Sequence, residues 1–101
     1  MPIEKPITFH RWGKKVSGKI SIDRDLKRIY ITTEDEDVPG CPTMYAICTT
    51  QLPGIEKDEV AIKNWSENEG MLDLLLDEGI VMQPHRWVRS GFVNVPICYW
   101  K

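Results

Sequence analysis

One segment of the 101-residue chain carries helical periodicity, and it limits the fold more than any other feature. In "NWSENEGMLDLLLDEGI", residues 64–80, Leu72, Leu75 and Leu76 recur at spacings of three and four, and Met71 and Leu74 widen the stripe. Ser66 is placed as an N-cap, Glu69 three residues on completes a capping box, and Gly79 is a natural stop. The spacing predicts one helix over about 66–78. The other apolar residues fall into short runs whose spacing is that of strands. A chain with one helix among many short strands is expected to be α+β: an antiparallel sheet of five to six strands with the helix packed on it.

"PITFHRW" alternates Ile7 and Phe9 after Pro6, the pattern of an edge strand. In "KKVSGKISI", Val16, Ile20 and Ile22 follow a Ser17–Gly18 break, which reads as a turn into a strand. "DRDLK" is a turn and "RIYITTE" (28–34) a β-branched strand, so 16–22 and 27–33 form a hairpin. "DEDVPGCP" is a loop. "TMYAICTTQL" (43–52) is apolar on both parities, as in a central strand covered on both faces. "PGIEKDE" is a loop and "VAIKNW" a short strand. "FVNVPICYW" is a last strand that Pro96 places at an edge or a bulge.

The length is that of a single domain, 1–101. No run of about 18 apolar residues occurs, so no membrane span is expected. "MPIEKPITFHRW" has no apolar core of the kind a secretory signal needs. The three cysteines, Cys41, Cys48 and Cys98, include no CxxC pair. They suit a reducing cytoplasm better than a disulfide framework. Cys48 and Cys98 lie in apolar runs and are expected in the core, whereas Cys41 is expected in an exposed loop.

The net charge of −2 conceals a banded layout. Residues 1–28 hold eight Lys/Arg and three Asp/Glu, for +5; residues 29–80 hold two and twelve, for −10; residues 81–101 hold three and none, for +3. Bands of this kind can fold into faces of opposite sign that steer partners.

The C-terminal half, "QLPGIEKDEVAIKNWSENEGMLDLLLDEGIV" with "RSGFVNVPICYW", resembles a family of small proteins carried by bacteriophages and mobile elements. The matching residues are Leu52, Pro53, Glu59, the run from Ile62 to Gly70, Gly91, Phe92 and Pro96, within roughly residues 45 to 100. "SENEG" is the most distinctive part. The chain departs from the pattern at "PHRWVRS", where family members often carry a Gly-Thr turn. The resemblance implies an accessory protein acting inside a bacterial host cell.

No P-loop, GxGxxG or GxSxG motif is present. His10 and His85 have no Cys or carboxylate at ligand spacing, so no metal, no cofactor and no catalytic residues are assigned. The expected function is non-catalytic binding. In the first reading the protein is an anti-CRISPR-like antagonist of a bacterial defence system. Glu34, Asp35, Glu36 and Asp37, with Glu69, Asp73 and Asp77 on the helix, form an acidic surface for a host protein that handles nucleic acid. In the alternative the chain binds nucleotides or single-stranded nucleic acid. Two tryptophans set among cations then stack on bases: Trp12 with Arg11, Lys14 and Lys15, and Trp87 with Arg86 and Arg89.

Overall fold

The structure is a computed structural model that describes residues 3–11, 13–34 and 42–101. It is mostly antiparallel sheet with one short α-helix. The described residues contain seven strands in two sheets, in place of the single sheet of five to six strands expected from periodicity. They group into two compact units, Met1–Ile47 and Cys48–Lys101.

The first unit is a meander of β1 (Ile3–Arg11), β2 (Lys14–Asp23), β3 (Arg28–Glu34) and β4 (Pro42–Ile47), in the order β1-β2-β3-β4. Ile20 lies opposite Ile31, Ile22 opposite Ile29, Ile7 opposite Gly18 and Ala46 opposite Ile31. Directly opposed residues share a face, so this register gathers five buried isoleucines and Ala46 on one side. Each buried isoleucine contributes roughly 1.5–3 kcal/mol. The other face carries exposed Thr8, His10, Lys15 and Lys19, and the Thr8 and Ser17 hydroxyls lie 3.4 Å apart. At the β2–β3 turn, the Leu26 N–H donates to Asp23 Oδ1 at 3.2 Å and Lys27 takes a φ of 54°.

Two local expectations change here. β2 runs through Ser17–Gly18 without a turn. A Cβ on Gly18 would lie 2.1 Å from the Thr32 carbonyl oxygen, so the glycine lets two strands approach closely. The run 43–52 is not one central strand. Its first part is the edge strand β4, with Met44 and Ile47 exposed and a register shift between Ile31 and Thr32. Its continuation belongs to the second unit, where the Thr50 N–H donates to the Ala61 carbonyl and the Lys63 N–H to that of Cys48.

The second unit is built on β5 (Glu59–Ala61), β6 (Arg86–Ser90) and β7 (Val93–Tyr99), in the order β5-β7-β6. Val95, Pro96, Ile97 and Cys98 of β7 are buried. One face joins Ala61, Val95 and Ile97 to Leu52, Ile55, Trp65, Val88 and Val93. Pro96 therefore sits in the central strand, in unbroken register with β6, contrary to its expected place at an edge or a bulge. The Ile62 N–H donates to the Pro96 carbonyl at 3.1 Å. The return bond of such an antiparallel pair needs an N–H that proline lacks, and the β5 ladder stops one pair earlier, at Ala61 and Ile97.

The expected helix over 66–78 is divided. Ser66–Asn68 is a 3-10 turn, and the α-helix α1 is Met71–Asp77. Ser66 does not cap it. Gly70, at φ 90°, breaks the path, and Asn64 Oδ1 accepts from the Leu72 N–H at 2.9 Å. Gly79 ends α1 as expected, at φ 70°, with its N–H on the Leu76 carbonyl and that of Ile80 on Leu75. Met71, Leu72 and Leu75 are buried, whereas Leu76 is only partly so. Cys48 and Cys98 are buried free thiols, and burial pushes that of Cys98 up to about 11. Cys41 lies outside the described residues.

The Gly18 contact predicts that Gly18→Ala destabilises the fold by about 2–3 kcal/mol, because a backbone oxygen cannot swing aside as a side chain does. Chemical denaturation measures it. A loss below about 1 kcal/mol would show that β2 and β3 can separate locally.

Candidate functional site

The most developed side-chain cluster lies in the second unit, around Glu59. Glu59 opens β5 and is paired in register with Tyr99 of β7; Arg86 opens β6 on the other side of β7. The Glu59 side chain is 4% exposed. Arg86 Nε donates to Glu59 Oε2 at 2.9 Å and Nη2 to Oε1 at 2.8 Å, a two-pronged ion pair. The Glu56 N–H also donates to Oε1, at 2.9 Å, and Arg86 Nη2 reaches the Gly54 carbonyl at 3.2 Å. His85 Nε2 contacts Oε2, and its ring stacks on Tyr99 with centroids 3.8 Å apart and planes 10° from parallel.

The Arg86 hydrogen bonds hold the Glu59 carboxyl well below its ordinary value of 4.5. Burial opposes this, while the Glu56 N–H, His85 and the Arg86 charge reinforce it. In return, Glu59 raises the Arg86 guanidinium above its ordinary value. A carboxylate so strongly favoured as an anion is a weak proton acceptor. Its work is positional: it ties the loop at 54–56 to the start of β6 and fixes where that strand begins.

That placement determines what β6 offers to solvent. Trp87, 56% exposed, and Arg89, also exposed, lie two residues apart and so project from the same face of β6. Phe92, 99% exposed, sits in the two-residue turn to β7 with Gly91. Arg86, expected as a ligand contact beside Trp87, is instead committed to Glu59. The other Trp–cation group is at the β1–β2 hairpin, where Arg11 pairs with Lys14. Lys14 and Lys15 are exposed there, and Trp12 lies outside the described residues.

The acidic residues divide similarly. Glu34 ends β3, and Asp35, Glu36 and Asp37 lie outside the described residues. Glu69 is in the turn before α1, so it does not extend the helical spacing of Asp73 and Asp77 as expected. All three are exposed, and among the described residues Asp73 and Asp77 have no cationic partner. The described residues hold no cluster of metal-ligating side chains. They hold no helix long and apolar enough to cross a membrane.

Glu59, His85 and Tyr99 had no place among the candidates taken from sequence. Glu59 stood at the end of the presumed loop "PGIEKDE", and only the resemblance pattern marked it. The pair Glu59–Arg86 is separated by 27 residues, and only the strand order brings it together.

The cluster predicts an acid-sensitive contribution to stability. Glu59 has a lower pKa folded than unfolded, so its contribution is complete above the ordinary value of 4.5 and is lost as pH falls below it. Glu59→Gln is expected to cost about 2 kcal/mol at neutral pH and to flatten the acid side of the stability profile. Urea denaturation at neutral pH and near about pH 3 tests this. Equal losses at both would place the effect elsewhere.

Compared with family models, curated proteins and solved structures, the chain finds no match.

Proposed function

We propose that this chain is a non-catalytic binding protein that antagonises a bacterial defence system by docking on a host protein. It acts as a phage or mobile-element accessory protein in the host cytoplasm, and its partner handles nucleic acid. The supporting observation is the acid on and beside α1. Glu69, Asp73 and Asp77 are exposed, with no basic residue in the last turn of the helix. Asp73 and Asp77 repel each other at i, i+4 by about 0.2–0.5 kcal/mol. Asp77 also lies at the negative end of the helix dipole, at a cost of about 0.3–1 kcal/mol. Asp73, in the first turn, is favoured by the dipole, but the fold gains nothing from Asp77, whereas a cationic surface that normally meets phosphates would gain from both.

A second reading is supported by the shared face of Trp87 and Arg89. An exposed ring with a cation two residues away suits base stacking with phosphate contact. In this reading the protein binds nucleotides or single-stranded nucleic acid.

The two separate experimentally. In cells carrying a nuclease-based defence, the wild-type chain is expected to restore phage plating and to co-purify with the nuclease. Asp73→Lys with Asp77→Lys is expected to abolish both while leaving the thermal melt intact. Plating and co-purification that survive the reversal would overturn the first reading. Salt-sensitive quenching of tryptophan fluorescence by an oligonucleotide, lost in Trp87→Ala, would establish the second.

A further inference from the structure

The outer edge of β6 carries an inference that does not depend on either functional reading. In a strand, successive residues direct their backbone N–H and C=O groups to alternate sides. The Pro96 carbonyl accepts from Ile62 on the β5 side, so Val95 and Ile97 direct their groups toward β6. The His85 N–H on the Ile97 carbonyl, at 3.1 Å, agrees. Val88, opposite Val95, and Arg86, opposite Ile97, therefore face inward to the ladder. Trp87 and Arg89 present their N–H and C=O groups outward, where no described strand pairs with them.

This edge lacks the protection found at the others. β1 contains Pro6, which cannot donate to an added strand. β4 pairs with β3 through a register shift, and the sheet side of β5 is continued by the Thr49–Ile62 bridge. β6, "RWVRS", has no proline and no register shift against β7, and of its two cations Arg86 is committed to Glu59.

We propose that the β6 edge is a homodimer interface, in which two copies pair β6 antiparallel about Val88. Self-complementarity identifies the occupant as a second copy. An antiparallel pairing of two identical edges must oppose outward residues with outward residues. Centred on Val88, it sets Trp87 opposite the partner's Arg89, and Arg89 opposite the partner's Trp87. Both pairs lie on one face of the sheet, at the end where Trp87 and Arg89 are exposed, each placing a guanidinium beside an indole. Arg86 meets the partner's Ser90, and its charge is already matched by Glu59.

The neighbouring registers are worse. Shifting by two residues one way opposes Arg89 to the partner's Arg89, a like-charge pair. The opposite shift sets Trp87 against the partner's Trp87 and leaves Arg89 facing the partner's His85. The arrangement about Val88 alone makes both cation–aromatic pairs. It is an isologous two-fold contact, in which each subunit offers the same patch, and it joins two three-stranded sheets into one of six.

Sedimentation velocity and light scattering across a concentration series test the proposal. The wild-type chain is expected to shift from monomer to dimer as concentration rises. The Trp87 and Arg89 amides are expected to exchange more slowly in the dimer. Trp87→Arg opposes arginine to arginine, and Arg89→Glu removes the cation; each is expected to weaken dimerisation at least about tenfold. The double variant Trp87→Arg with Arg89→Trp restores the opposition and is expected to restore the dimer. Circular dichroism confirms that each variant folds, which the exposure of both side chains favours. A wild-type chain that stays monomeric throughout overturns the proposal. So does a dimer indifferent to the single changes, or a double variant that fails to recover.

Discussion

The Glu59 carboxylate is the constraint on which the second unit depends. An anion 4% exposed loses its hydration, and only dense compensation makes that tolerable. Here the compensation comes from Arg86, the Glu56 N–H and His85, drawn from two separate stretches of chain. Each contact sets a position. The loop at 54–56 is held against the sheet, the start of β6 is set against β7, and the His85 ring is laid on Tyr99. Because Arg86 is pinned, the alternation of β6 follows. Trp87 and Arg89 are then exposed on the side of the strand opposite Val88, which turns to the core between them.

Proline and glycine set the limits around this anchor. Pro96 in the central strand supplies one hydrogen bond where two would form, and β5 is three residues long. Gly18 permits an approach to Thr32 that no Cβ would allow, so β2 passes unbroken through its ten residues. Gly70 interrupts the helical path and leaves α1 with seven residues. So short a helix is held mainly by its buried Met71, Leu72 and Leu75 and by the Asn64 cap, since isolated helices of this length are not stable in water.

Periodicity carried the local structure well and the assembly poorly. The β2–β3 hairpin, the edge position of β1, the Gly79 stop and the burial of Leu72 and Leu75 all follow from spacing and turn chemistry. The division into two sheets does not, because the run 43–52 looks uniform while its halves hydrogen-bond to different strands. The cap was misplaced for a similar reason. Ser66 and Glu69 have capping-box spacing, but Asn64, eight residues before Leu72, does the capping through space by accepting from the Leu72 N–H. Among the candidate residues, the Trp87–Arg89 face could be read from alternation. The capture of Arg86 by Glu59 could not, since it depends on strand order.

The two faces of the second unit bear on one another. Trp87 and Arg89 cannot both stack on a base and pair with a second copy, so self-association through β6 would compete directly with a nucleic acid there. The acid on α1 is unaffected by that choice, because Asp73 and Asp77 are not part of β6. A dimer would carry that acid twice, and a host assembly with repeated cationic sites would meet both copies at once. The second contact would then be intramolecular, with an effective concentration set by the dimer's geometry rather than by how much protein is present. Two weak acidic surfaces joined in this way can bind as tightly as one strong one, which reconciles a short helix and few charges with the proposed role in binding.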